Sequence, residues 1–301
     1  MSDTPPRLVD NARAVNDALA AFFDDTVRGG EIARPARLMA AIRHGALDGG
    51  KRLRPHLLIE TARLFGAPRE RALATACALE AVHCYSLVHD DLPAMDDDAT
   101  RRGRATVHVA FDEATAILAG DALLTHAFQM VAEDDGLAAP ARCALVAMLA
   151  RAAGQGGMIG GQMLDIEAES ATVRPDGEGV RRLQAMKTGA LIAFACEAGA
   201  VVAGAGAADR ERLAHYGRTI GLAFQLADDL LDVTADARTM GKATAKDADA
   251  GKATLVALCG VKAVRGLLAD SVREAQATLA PFGERGQGLL ATARYVVDRR
   301  S

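Results

Sequence analysis

Five carboxylates stand within nine residues at Asp90-Asp91-Leu92-Pro93-Ala94-Met95-Asp96-Asp97-Asp98. Packed this densely, they repel one another unless cations or protons neutralise them. The preceding stretch, residues 81–88, is largely apolar, so the acids emerge from a core rather than line a polar helix face. Hard oxygen donors of this kind suit Mg²⁺, which keeps several waters and takes one or two carboxylates plus substrate phosphates. A second set, Gln225-Leu226-Ala227-Asp228-Asp229-Leu230-Leu231-Asp232, lies inside an apolar helical pattern. Gln225, Asp228 and Asp232 are spaced three and four apart, which places them on one helix face.

Two acid-rich helices imply a trapped cation array, and such an array calls for an anionic ligand. The sequence supplies its complement. Gly49-Gly50-Lys51-Arg52-Leu53-Arg54-Pro55 puts three cations in four residues behind a flexible glycine pair. Arginine forks and lysine point charges both match phosphate oxygens. Arg101 and Arg102 follow the first acid cluster, and Lys187-Thr188-Gly189 interrupts an otherwise apolar helix. Lys242 and Lys252 sit in the irregular stretch after the second cluster. Together these groups describe a site for diphosphates bridged by Mg²⁺. There is no Walker A loop and no GxGxxG, which excludes a nucleotide P-loop or a dinucleotide fold.

Helices must position these groups. Aromatics make up 4% of the 301 residues with no Trp, so the core favours close helix packing over a β-sandwich. Leu8, Ala12, Val15, Leu19 and Phe22 mark one face of a first helix, and 69–91 reads as a long second one. Further helical runs are expected near 35–46, 52–65, 111–133, 138–166, 179–206, 209–235, 252–279 and 286–299. Loops are expected at Glu167–Gly179 and from Asp236 to Lys252. No βαβ rhythm, hairpin pattern or interdomain linker appears, so residues 1–301 read as a single all-helical domain.

A net charge of −4 argues against nucleic acid or an anionic membrane as partner. Five scattered cysteines without a CxxC spacing read as reduced thiols of a cytoplasmic protein. The first residues lack the apolar segment of a signal peptide. The longest apolar candidate, residues 188–208, is broken by Glu197 and reads as a buried helix rather than a membrane span.

The ordered set GGKRLRP, DDLPAMDDD followed by RRG, KTG, and FQ-x-x-DD-x-x-D with a Gly-Lys loop after it resembles the trans-polyprenyl diphosphate synthases, most of all the bacterial farnesyl diphosphate synthases. The resemblance runs from about residue 35 to the end. It implies an all-α fold of about ten helices around a central cavity, a homodimer, and three Mg²⁺ ions held between the two Asp motifs. By position, Asp90, Asp96 and Asp228 match metal ligands, with Asp91, Asp229 and Asp232 in support. Lys51, Arg54, His83 and Arg102 match the pocket for isopentenyl diphosphate. Arg101, Lys187, Lys242 and Lys252 match contacts to the allylic diphosphate. Thr188 and Gln225 match oxygens near the allylic cation, and Gln162 and Asp165 match a motif lining the cavity.

Helix arithmetic alone does not choose Asp96, because six residues put it about 120° away from Asp90, whereas Asp97 would align. Pro93 breaks the regularity, and the family pattern selects Asp96. His83 precedes Asp90 by two helical turns on the same face, which favours substrate contact over a structural core histidine; His89 reads as structural. The expected chemistry is ionisation of an allylic ester, attack by the isopentenyl alkene, and loss of a proton that the released diphosphate takes. Met240–Lys252 would close as a lid. Tyr85, roughly 7 Å down the helix from Asp90, resembles the floor of short-chain synthases and points to a fifteen-carbon product.

The chain departs from the pattern at Ala227, where many bacterial members carry Gln, and at Ala253-Thr254-Leu255-Val256, where Ser-Thr-Tyr-Pro is common. Within the family, geranylgeranyl and geranyl diphosphate are the competing products. A terpene cyclase would replace the second Asp motif and dispense with GGKRLRP. A silent synthase subunit would have lost an acid motif.

Overall fold

The computed structural model describes residues 4–47, 49–170, 175–239 and 254–298. The chain runs through α1 (Pro6–Phe22), α2 (Ala36–Leu47), α3 (Leu53–Leu64), α4 (Arg69–Asp90), α5 (Val107–Ala110), α6 (Glu113–Ala132), α7 (Ala139–Ala153), α8 (Met158–Ser170), α9 (Gly177–Gln184), α10 (Ala190–Val202), α11 (Ala207–Thr239), α12 (Leu255–Cys259), α13 (Val261–Leu279) and α14 (Gln287–Asp298). A π-helical turn, Ala185–Gly189, joins α9 to α10, and a 3₁₀ stretch, Ala280–Gly286, leads into α14. Among the described residues the only strands are β1 (Thr100–Arg101) and β2 (Arg104–Ala105), paired antiparallel. The protein is all-α.

The helices differ from the periodicity reading where glycine or a cap intervenes. The run expected over 138–166 is two helices, because Gly154-Gln155-Gly156-Gly157 leaves helical geometry between them. The run expected over 252–279 breaks at Gly260, whose φ of 82° no ordinary helical residue adopts. The loop expected from Glu167 is helical through Ser170, and α9 starts at Gly177 because the Asp176 carboxylate accepts from the Gly179 amide at 2.8 Å. By length and apolarity alone, three helical stretches, Glu113–Ala132, Ala139–Ala168 and Gly177–Val202, are able to span a membrane. The apolar stretch set aside for Glu197 overlaps the last of these, 61% of whose apolar window is buried.

The residues form two compact units. One comprises Pro6–Ile59 and Ala67–Val146; the other comprises Glu60–Gly66 and the chain from Ala147 onward, with the first five residues. In the first unit α4 is the hub and packs chiefly on α6, with α1 and α2 alongside. Its buried residues, among them Ala76, Ala78, Leu79, Ala81 and Val82, cover the whole helix circumference, as a core helix requires. In the second unit α11 plays that part against α10, α13 and α14.

A charge is buried with the α4 core. Arg52 is a motif cation in sequence, yet its side chain is 1% exposed and pairs with Glu80 of α4 at 2.6 Å. Its other guanidinium nitrogens donate to the Ala46 carbonyl at 2.6 Å and to Asn16 Oδ1 at 2.8 Å. Of the three cations in GGKRLRP, this one locks the loop to the core and is spent on structure. Removing one partner strands the other charge in a dry interior, at a cost of about 3–5 kcal/mol. Arg52→Met is therefore expected to lose that much stability in urea denaturation. The double variant Arg52→Met, Glu80→Leu should be more stable than the single one, and a double variant no more stable than Arg52→Met would refute this account.

Candidate active site

In the first unit the site grows from the end of α4. The helix stops at Asp90, and the backbone then closes on itself. The Asp96 amide donates to the Asp90 carbonyl at 2.8 Å, and the Asp97 amide donates to that of Leu92 at 3.2 Å. The 7→1 bond from Asp96 to Asp90, backed by the 6→1 bond from Asp97 to Leu92, brings Asp96 back over the helix end, which regular helix spacing would not do. Asp97 takes a φ of 53°, in the left-handed region. Asp90 is half-buried and Asp96 is exposed, whereas Asp91 is buried. Asp91 Oδ1 receives Arg101 Nε at 2.7 Å and Nη2 at 2.6 Å. Asp91 is thus a support, and what it supports is Arg101.

The two strands form a tight hairpin over Arg101-Arg102-Gly103-Arg104. Arg102 and Gly103 both have positive φ, 53° and 77°, the signature of a two-residue primed turn. The turn projects Arg102 back to the glycine pair, where its Nη1 donates to the Gly49 carbonyl at 2.7 Å. Gly50 has a φ of 104°, and a Cβ there would lie 2.8 Å from that same Nη1, so only glycine leaves room for the arginine. Lys51 is exposed, and Arg54 is half-buried at the start of α3. His83 lies on α4, partly accessible; burial, then the positive fields of Arg54, Arg102, Arg52 and Arg101, push its pKa well down. It is a neutral imidazole in a cationic setting. Arg54 and Arg102 thus both lie near His83. The structure also puts His44 and Arg104 beside them. His44 Nε2 donates to the Ala105 carbonyl at 2.8 Å, and Arg104 reaches its Nδ1 at 3.4 Å. Neither was singled out in the sequence.

One turn and a half below Asp90, Tyr85 is 6% exposed and stacks edge-to-face on His89, with centroids 5.7 Å apart. Burial, with Asp90 adding to it, pushes its phenol up to about 12. Its hydroxyl has no hydrogen-bond partner among the described residues. His89 Nε2 bonds the Ile117 carbonyl of α6 at 3.0 Å, a structural role.

In the second unit the π turn organises the site. Lys187 and Thr188 lie within it, and α8 and α11 both pack against it. π turns within helices recur at functional sites. Gly161 of α8 allows the contact, since a Cβ on it would lie 2.2 Å from the Lys187 amide nitrogen. Lys187 Nζ meets Asp165 Oδ2 at 2.5 Å. Gln162, one turn earlier on α8, has a buried Oε1 without a partner among the described residues. Thr188 Oγ1 donates to Gln225 Oε1 at 3.0 Å, and Gln225 Nε2 donates to Asp229 Oδ1 at 2.9 Å. Asp229 is 5% exposed, and its Oδ2 receives Gln184 Nε2 at 2.9 Å. Gln184 escaped the sequence reading; its place three residues before Lys187, one helical turn back, was the available signal. Asp228 is half-buried. The side chain of Asp232, and Lys242 and Lys252 with the lid expected over Met240–Lys252, lie outside the described residues.

Among the described residues, no three His, Cys, Asp or Glu side chains converge to hold a metal ion by themselves. Mg²⁺ is a hard cation that takes oxygen donors and completes its shell with water and phosphate oxygens. Asp90, Asp96 and Asp228 are hard-oxygen donors with accessible surface and are suited to it.

The polyprenyl synthetase profile matches residues 35–278, a span that contains every site residue named above. The chain belongs to the polyprenyl synthetase family. It is 41% identical to the farnesyl diphosphate synthase of Escherichia coli (strain K12) over 99% of both chains. It is also 41% identical to the chloroplastic geranylgeranyl pyrophosphate synthase 11 of Arabidopsis thaliana, over 89% of this chain and 76% of that one. The apo structure of a FPP/GFPP synthase from Zymomonas mobilis superposes with a TM-score of 0.85 at 40% identity, covering 96% of this chain and 97% of the other.

The contact at Gly161 generates a test. A Cβ there overlaps backbone rather than a flexible side chain, so α8 must move off the π turn. Gly161→Ala is expected to lose about 1–3 kcal/mol of stability, the usual range for an overpacked contact. An unchanged melting curve would show that the turn yields without cost.

Proposed function

We propose that the protein condenses isopentenyl diphosphate with an allylic diphosphate, dimethylallyl or geranyl, and delivers farnesyl diphosphate. The observation that carries this is the pair of chemically distinct settings along the chain. One is a neutral His83 among arginines, suited to a diphosphate that must be held intact. The other is an array of neutral oxygens, Thr188 and Gln225, beside Lys187.

The reading gives each residue a task. Lys51, Arg54, His83 and Arg102 grip the isopentenyl diphosphate, with forks and a point charge matched to its oxygens. Arg101 and Lys187, held by Asp91 and Asp165, face the allylic diphosphate; Lys242 and Lys252 are assigned to the same group by motif. Asp90, Asp96 and Asp228 would hold Mg²⁺, three ions in the family pattern, with Asp232 assigned in support. When bound, the metal neutralises the negative charge that builds on the leaving diphosphate.

The allylic C1–O bond breaks, and its electrons leave with the diphosphate. Thr188 and Gln225 oxygens face the resulting cation and stabilise it without bonding to it. The terminal carbon of the isopentenyl double bond attacks C1 and leaves the positive charge on the tertiary carbon next to it; the CH2 group on the far side of that carbon then gives a proton to the departed diphosphate, and its C–H electrons form the new double bond. No side chain of these motifs is placed as a general base. Exposed Ile117 and Leu118 on α6, and Ile159, Met163 and Ile166 on α8, support assembly as a homodimer.

Geranylgeranyl diphosphate is the second reading, favoured by the Arabidopsis relative. Tyr85 separates the two: a buried aromatic below the first acid motif supports the shorter product. Incubation with Mg²⁺, isopentenyl diphosphate and either primer should yield a fifteen-carbon product, read by chromatography of the dephosphorylated chains. A twenty-carbon product would keep the chemistry and overturn the assignment of Tyr85, and no condensation by folded protein would overturn the function. Tyr85→Ala is expected to lengthen the product by one or more five-carbon units. Asp90→Ala should lower kcat by about 10²–10³, the scale of losing a principal electrostatic stabiliser, with the fold unchanged by circular dichroism.

A further inference from the structure

The polar array at the π turn has a directional logic that reaches one residue beyond the motifs. Asp229, as a carboxylate, can only accept hydrogen bonds. Both amides that meet it, Gln225 at Oδ1 and Gln184 at Oδ2, each at 2.9 Å, must therefore present their NH₂ groups. This fixes which way round Gln225 sits. Its Oε1 is turned to Thr188, whose hydroxyl donates to it at 3.0 Å. The Thr188 hydroxyl proton and one N–H of Gln225 are consumed within the array, and the open valences on Thr188 Oγ1 and Gln225 Oε1 are lone pairs.

Gln184 is the residue that completes this arrangement. It ends α9, is 5% exposed, and its own Oε1 is buried without a partner among the described residues. A side chain placed for packing would not leave a buried acceptor unmet. The bond its amide makes is the one to Asp229.

We propose that Gln184 is a positioning residue of the condensation. It occupies Asp229 Oδ2, keeps Oδ1 for Gln225, and so holds the Gln225 amide with its oxygen, not its NH₂, available to the allylic cation. Without it Asp229 loses the bond at Oδ2 that opposes Gln225, and the orientation of the Gln225 amide is less firmly set. A flipped amide presents N–H groups, the wrong end of the dipole, where positive charge develops. Gln184 acts through Asp229 and Gln225 and touches no substrate. The inference rests on the reading of the protein as a prenyl-transferring enzyme.

The test is a double-variant cycle on the full-length protein with Mg²⁺, isopentenyl diphosphate and geranyl diphosphate. Gln184→Met keeps the length of the side chain and removes the donor. It is expected to lower kcat about tenfold with both KM values within about twofold, the pattern of lost orientation rather than lost binding. In a Gln225→Met background, where no amide remains to be oriented, adding Gln184→Met should change kcat by less than about twofold. Gln184→Leu, which removes the donor without adding charge, gives the same reading if the methionine variant does not fold. A Gln184→Met enzyme with wild-type kcat, or a double variant whose loss is the product of the two single losses, would overturn the proposal alone. Wild-type protein that forms no product would overturn it together with the reading beneath it.

Discussion

A buried charge survives only with a partner, and that constraint sorts every charged motif in this chain into an inner and an outer half. In the first acidic motif Asp91 is buried and taken up by Arg101, while Asp90 keeps accessible surface. In the second, Asp229 is buried and taken up by two glutamine amides, while Asp228 keeps accessible surface. The basic motif divides the same way, with Arg52 turned to Glu80 and Lys51 outward. Identical neighbours in sequence thus have opposite fates. The inner member neutralises locally and fixes the loop, and the outer member keeps accessible surface.

The price of that arrangement is backbone strain at the ligand segments. Among the described residues, the non-glycine residues with positive φ are Arg52, Asp97 and Arg102, and each lies in a charged motif of the first unit. Such conformations persist only where the surroundings over-determine them. Arg52 is held by its buried pair, Asp97 by the amide bond to Leu92, and Arg102 by the hairpin turn and the Gly49 carbonyl. Strain here is therefore a consequence of aiming charges from short loops, and it is balanced by contacts within the same segments.

Much of this was legible in the sequence, because helices and charged motifs are local signals. Periodicity located the long helices, and the order of motifs located the charged residues that cluster. The rest depends on pairings between distant residues. Nothing local distinguishes Arg52 from Lys51; the choice is made by Glu80, 28 residues away. Nothing local marks Gln184 either, since its partner Asp229 is 45 residues on. The π turn reads as ordinary apolar helix, and only the approach of Gly161 to its backbone gives it a reason. The two-residue strands fall below any periodic signal, although Arg102-Gly103 carries the turn chemistry that makes them.

The division into inner and outer charges also bears on how a carbocation can be stabilised without being trapped. A bare carboxylate against an allylic cation would form an ester and end the reaction. Asp229 contributes negative field, yet both of its oxygens are engaged by N–H groups, and the atoms that stand in front of it are the neutral oxygens of Gln225 and Thr188. Those oxygens stabilise positive charge and are weak nucleophiles. Tyr85, in the first unit, is likewise kept neutral. Burial holds its phenol up to about 12, so it stays protonated and neutral while its ring fills space. A site that makes carbon–carbon bonds through a cation needs its anions close enough to be felt and covered enough not to react, and the hydrogen bonds to Asp229 meet both conditions at once.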